Sequence, residues 1–236
     1  MSEEIVKRQK RNLALDTILA TGTYGVIYKC SEDGEGKCKE IVVKKPNPGR
    51  MIPSLDMIKH EIKIFEKLSE PGSSAIVKYF GCNHPGEPTY ILMEWVSCAG
   101  NILLDGNDNL KLCDFGLSLV VKCRVRDGQE ELDRCRYFGS PPFFPSPELR
   151  NGGFPTRCAD IWSAGCVLYQ MLTLLSESRV LAKCREQRFD FNMSASTATT
   201  ETIDLLDLML QGNPQNRSKT GDAVKASDQF LRFLHE

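Results

Sequence analysis

Along the first 45 residues the apolar positions come in short runs broken by turn residues. Leu13 to Leu19 is followed by Thr21-Gly22-Thr23-Tyr24-Gly25, then by Val26-Ile27-Tyr28. A second turn, Glu32-Asp33-Gly34-Glu35-Gly36, leads into Ile41-Val42-Val43. Runs of this length between glycine-rich turns predict strands. The period then changes: over residues 54–68, Leu55, Ile58, Ile62, Phe65 and Leu68 recur three or four apart. That spacing predicts an amphipathic helix, with Ser54 placed to cap it. Ile76–Phe80 and Tyr90–Val96 read as two more strands, so residues 1–96 form a sheet with one helix.

The remainder, residues 97–236, reads as mostly helical. Ile102-Leu103-Leu104 and Leu110-Lys111-Leu112 flank a turn at Asp105–Asn109 and predict a short hairpin. A proline-rich loop spans 139–147. Ile161 to Leu175 is apolar nearly all round, which predicts a buried helix. Ser194–Thr200 is a small polar loop, and Thr202–Leu210 is a helix stopped by Gly212-Asn213-Pro214. The fold class is α+β.

Composition adds bounds. The 236 residues are 41% hydrophobic and 26% charged, enough for a real core. The net charge of -1 supplies no field for nucleic acid or an acidic membrane surface. No apolar run approaches the ~20 residues that span a bilayer, and the charged start MSEEIVKRQKRN lacks the apolar centre of a signal peptide. None of the ten cysteines forms a C-x-x-C pair, so a reduced cytoplasmic or nuclear setting is expected.

Several short patterns carry chemistry. Ala20-Thr21-Gly22-Thr23-Tyr24-Gly25 lies between the first two strands, where glycines let backbone N–H groups approach phosphates; read alone, it is better taken as an ordinary hairpin turn. Nineteen residues after Gly25 comes Lys44, ending Ile41-Val42-Val43-Lys44, and Glu61 lies on the following helix. Tyr90-Ile91-Leu92-Met93-Glu94-Trp95-Val96 is a strand running into a linker. Asn101 precedes the hairpin, and Cys113-Asp114-Phe115-Gly116 follows it. Further on come Gly139-Ser140-Pro141, Ser146-Pro147-Glu148, Asp160-Ile161-Trp162-Ser163-Ala164-Gly165 and Asn213-Pro214-Gln215-Asn216-Arg217.

In this order, over roughly residues 13–233, these patterns resemble the eukaryotic protein kinase family, and the Gly-Ser-Pro form resembles its Ser/Thr branch. The resemblance implies a bilobal fold, with an N-lobe over 1–96 and a truncated C-lobe over 97–236. It implies ATP and Mg²⁺ as cofactors and a protein as substrate or partner. Leu19, Ala20, Gly22, Gly25, Ile27 and Lys44 would surround the nucleotide. Met93 would be the gatekeeper, and the backbone of Glu94 and Val96 would meet adenine. Lys44 and Glu61 would form the catalytic pair, and Asn101 and Asp114 would hold metal. Arg217 would pair with Glu148, and Cys113 would line the cleft.

One family element is missing. The H-R-D-L-x-x-x-N loop supplies the catalytic base, yet Asn101 follows directly on Val96-Ser97-Cys98-Ala99-Gly100, and no histidine precedes Arg-Asp. Against the family pattern roughly 40 residues are absent, including two helices. Asp160, which ties that loop down in the family, is then expected to lack its partner. Ile161, Val167, Leu168 and Met171 are expected to lose a covering neighbour. Lys122, Arg124, Arg126, Arg134 and Arg136 read as a solvated loop face. Three readings stand: a pseudokinase that holds nucleotide, an incomplete product, and an active Ser/Thr kinase that transfers the γ-phosphoryl of ATP.

Overall fold

The computed structural model describes residues 13–22, 25–32, 41–47, 49, 53–68, 74–83, 90–96, 101–119, 123–126, 129–132, 144–191 and 198–217. Thr23-Tyr24, the junction Ser97–Gly100, Gly139-Ser140-Pro141, Lys122, Arg134 and Arg136 lie outside the described residues, and so does most of the polar stretch at 194–200. The chain divides into two compact units, residues 1–120 and 121–236.

In the first unit β1 (Leu13–Thr21), β2 (Gly25–Glu32), β3 (Ile41–Pro46), β4 (Tyr79–Cys82) and β5 (Ile91–Glu94) form one sheet in the order β1-β2-β3-β5-β4. Every neighbour pair is antiparallel. Helix α1 (Leu55–Leu68) lies between β3 and β4 in sequence. Ser54 Oγ accepts the Met57 N–H at 3.3 Å, the expected cap. The sheet is covered on both faces. Val42, Ile91 and Met93 join Ile62 and Phe65 of α1 in one cluster, whereas Ile41, Val43 and Leu92 pack with Cys30 in another. That is why β3 and β5 read as unbroken apolar runs rather than alternating ones.

The predicted hairpin forms as β6 (Ile102–Leu104) and β7 (Leu110–Leu112), in the register Ile102↔Leu112 and Leu104↔Leu110. Val77 N–H donates to the Leu112 carbonyl at 3.0 Å, and Leu112 N–H to the Ala75 carbonyl at 2.8 Å. These bonds place the hairpin with the sheet, inside the compact unit that ends at Val120. Leu103 turns inward and is buried, while Ile102, Leu104, Leu110 and Leu112 are 41, 37, 55 and 43% exposed. Residues directly opposite in a ladder share a face, so these four form one open apolar face.

The second unit begins with a hairpin that the periodicity did not predict, β8 (Cys123–Arg126) with β9 (Gln129–Leu132). Four helices follow: α2 (Pro147–Arg150), α3 (Arg157–Thr173), α4 (Glu177–Glu186) and α5 (Thr200–Met209). Their core gathers Phe144, Trp162, Cys166, Tyr169, Val180, Cys184 and Leu206. At Gly165 an added Cβ would lie 2.9 Å from Met209 Cβ, so α3 and α5 approach too closely for any side chain there. Arg217, its side chain fully enclosed, donates to both oxygens of Glu148 at 2.8 and 3.1 Å, the expected pair. Of the α3 residues expected to lose cover, Ile161, Val167 and Leu168 are half-buried and only Met171 is open, at 67%. Asp160 is exposed and has no partner among the described residues.

Candidate nucleotide site

The charged centre of the first unit is built by three elements. Lys44 enters from β3, Glu61 from α1, and Asp114 from the segment after β7. Lys44 Nζ donates to Glu61 Oε1 and to Asp114 Oδ1, each at 2.7 Å. The Lys44 and Glu61 side chains are 11 and 7% exposed, whereas Asp114 is 42% exposed. Burial alone would lower the Lys44 pKa, but the two carboxylates outweigh it and hold the ammonium above its ordinary value. Burial and the nearby Asp114 push Glu61 above the usual carboxylate range, against the pull of Lys44. One ammonium thus serves two carboxylates, and the surplus negative charge sits at the open end of the site.

Gly25 is required here for a local reason. A Cβ on it would meet Lys44 Cε at 3.1 Å and the Lys45 carbonyl oxygen at 3.1 Å, so the lysine stem passes over a bare backbone. Gly22 N–H closes the turn onto the Gly25 carbonyl at 2.8 Å. Asn47, which carries no motif signal in the sequence, is buried and donates from Nδ2 to the Gly22 carbonyl at 2.8 Å. It anchors the glycine turn to the end of β3. Leu19, Ala20 and Gly22 are exposed, and Ile27 is half-buried against the core.

Met93 is buried in the same core. The Glu94 N–H donates to the Lys78 carbonyl at 2.9 Å, so that donor is already engaged within the fold. The Glu94 carboxylate accepts from Lys111 Nζ at 2.6 Å and from the Lys78 N–H at 2.9 Å. This tie between β5 and β7 has no sequence signal, because the patterns around Glu94 and Lys111 say nothing of a side-chain pair between them. Val96 is half-buried against the core.

Asp114 takes the left-handed conformation, φ 62°, which aspartate tolerates better than most residues. The next ring, Phe115, meets Phe65 of α1 edge-on at 5.2 Å, and Phe65 stacks on Tyr79 at 5.6 Å. His60 Nε2 lies 2.6 Å from the Ser118 carbonyl, a second tie from α1 to this segment. The Cys113 N–H donates to the Asn101 carbonyl at 3.0 Å, so Asn101 stands opposite Cys113 and beside Asp114 at the end of the hairpin. Burial pushes the Cys113 thiol up to about 11, which makes it a slow nucleophile at neutral pH.

Among the described residues no three His, Cys, Asp or Glu are grouped to hold a metal ion. A hard divalent cation that keeps several waters needs only one or two protein oxygens besides phosphate. The half-open Asp114 carboxylate and the exposed amide of Asn101 offer such a set, so the residues fit Mg²⁺.

A five-stranded antiparallel sheet with one helix, joined by a lysine bonded to two carboxylates beside a glycine turn, defines the first unit as an α+β fold. The chain belongs to the protein kinase family: the family description Protein kinase domain matches residues 99–227, and Protein tyrosine and serine/threonine kinase matches residues 13–100. Among similar proteins, CBL-interacting serine/threonine-protein kinase 10 of Arabidopsis thaliana is 34% identical over 139 residues. That alignment covers 57% of this chain and 28% of the relative. Probable serine/threonine-protein kinase nek2 of Dictyostelium discoideum is 29% identical over 140 residues, 57% of this chain and 31% of its own length. The human serine/threonine-protein kinase Nek2 is 33% identical over 95 residues, covering 38% of this chain and 20% of the relative. The chain thus spans about a third or less of the curated relatives it matches. No helix among the described residues is long and apolar enough to cross a membrane.

Proposed function

We propose that the first unit binds Mg-ATP and that the chain transfers phosphate to protein hydroxyls very poorly, acting as a pseudokinase in a cytoplasmic or nuclear setting with a protein partner. The observation that carries the binding half is Lys44 held at 2.7 Å from both Glu61 and Asp114. A lysine so placed would present its ammonium to the nucleotide's phosphates, and Asp114 and Asn101 would hold a divalent cation that would offset the phosphate charge.

The poor transfer follows from the chain between Val96 and Asn101. Ser97, Cys98, Ala99 and Gly100 supply no carboxylate to accept the substrate proton. A general base contributes ~10²–10⁴-fold, and Asp160 has no loop to tie down. A second reading, an incomplete product of a gene for a complete kinase, is favoured by one feature: the two family matches meet at residues 99–100, where the segment is missing.

Two assays on purified chain test the proposal. Millimolar Mg-ATP should raise the melting temperature, and Lys44→Met should abolish that rise; an unresponsive melting curve would refute nucleotide binding. In a radiolabel transfer assay the chain should stay near background, and Asp114→Asn, which keeps the left-handed backbone, should change nothing. Transfer at ordinary kinase rates that Asp114→Asn removes would restore the enzyme reading.

A further inference from the structure

Outside the nucleotide site, two nucleophilic side chains meet in the core of the second unit. Cys166 on α3 and Cys184 on α4 are both 0% exposed, and their sulfurs stand 3.3 Å apart. We propose that these thiols are a redox-sensitive site that closes to a disulfide between α3 and α4 when a low-molecular-weight disulfide of the glutathione type is in excess.

Geometry makes the pair ready. A disulfide needs an S–S distance of about 2.05 Å, so the sulfurs must approach by little more than 1 Å, within reach of side-chain rotation. Arg150 donates from Nη1 to the Cys184 carbonyl at 2.8 Å, and its buried Nε has no partner among the described residues. A guanidinium with an unused donor therefore lies beside the thiols. The bond from Cys166, helped by Arg150, holds the Cys184 thiol below its ordinary value, while Cys166 is pushed up by the same bond. Cys184 is the nucleophile of the two because it sits on α4, a helix with only two buried residues, and there its thiolate can meet the reagent.

Access comes through α4. Of its ten residues only Val180 and Cys184, one turn apart, are buried. A helix held by so few apolar contacts belongs to the part of a fold that opens locally, and opening exposes Cys184. Its thiolate then attacks one sulfur of the reagent disulfide and expels one thiol, which carries off the Cys184 proton. When α4 recloses, Cys166 gives up its proton, attacks the Cys184 sulfur and expels the second thiol. Two protein thiols become one disulfide, and one reagent disulfide becomes two thiols, so electrons and protons balance. The oxidised form can no longer lift α4 from α3.

The test uses the whole chain incubated with excess oxidised glutathione, alkylated, digested without reduction and mapped by mass spectrometry. A Cys166–Cys184 link should form, and it should persist in Cys158→Ser, which removes the other cysteine of the same tryptic peptide. Amide exchange over residues 177–186 should slow by about tenfold or more in the oxidised form and return on reduction. The proposal is overturned if both thiols remain alkylatable after more exposed cysteines have reacted, if glutathione stays attached at Cys184 without a link, or if the link forms while exchange in α4 is unchanged. Cys184→Ala checks the exchange result, since it should lose the oxidation-dependent slowing.

Discussion

Lys44 is the residue on which the first unit turns, because it is the only cation bonded to a buried carboxylate there among the described residues. Lys44→Met leaves Glu61 enclosed with Asp114 nearby and no compensating charge. Breaking a buried pair in this way costs roughly 3–5 kcal/mol. The sign of the pH dependence follows from Glu61, whose pKa is already raised in the folded protein and rises further without Lys44. A carboxyl of this kind contributes stability below its unfolded pKa and loses it as pH rises through the folded value. The loss in Lys44→Met should therefore be large at pH 8 and shrink towards pH 5, as read by urea unfolding at both. Equal losses at the two pH values would mean that Glu61 finds another partner. Glu61→Gln in the Lys44→Met background should recover part of the loss, since the two residues act as one unit.

At the scale of elements, Gly165 sets how closely α3 and α5 approach. Gly165→Ala would gain about 1 kcal/mol in helix propensity, but its Cβ would lie 2.9 Å from Met209 Cβ and 3.0 Å from Leu210 Cδ2. Overpacking of that kind costs roughly 1–3 kcal/mol. A net loss should appear as a lower urea midpoint with an unchanged slope; a gain would mean that α3 and α5 separate easily. The same scale shows which elements the sequence made legible. Strands β3 and β5 and helix α1 stood out because each carries a dense apolar signal. Helix α4 did not, because two buried side chains make too thin a stripe. Helix α3 begins at Arg157, four residues before the apolar run, since its polar first turn hides it. The β8–β9 hairpin did have a signal, the Asp127-Gly128 dipeptide, which is a strong hairpin marker, but the mostly charged and polar Cys123–Arg126 and Gln129–Leu132 carry no apolar alternation to go with it. At the site, Lys44, Glu61, Asn101 and Asp114 were legible through ordered motifs. Asn47 and the Glu94–Lys111 tie were not, because a single amide or a lone ion pair has no spacing to read.

For the whole molecule, the β6–β7 hairpin is a place where apolar surface stands open. Ile102, Leu104, Leu110 and Leu112 turn one apolar face to solvent, and contiguous faces of this kind mark contact sites or aggregation hazards. The physical chemistry of such a face differs from that of the charged site. Its attraction for other apolar surface weakens on cooling and strengthens in sulfate, whereas contacts between charges are screened by salt. Light scattering from purified chain should therefore rise with warming and with ammonium sulfate, and fall in the cold. Leu104→Thr with Leu110→Thr, a directly opposed pair replaced by good strand formers, should flatten that response while leaving the Mg-ATP melting shift in place. Handling the protein cold and in chloride follows as the practical rule, and the temperature at which it clouds becomes a measure of how much of its surface awaits a cover.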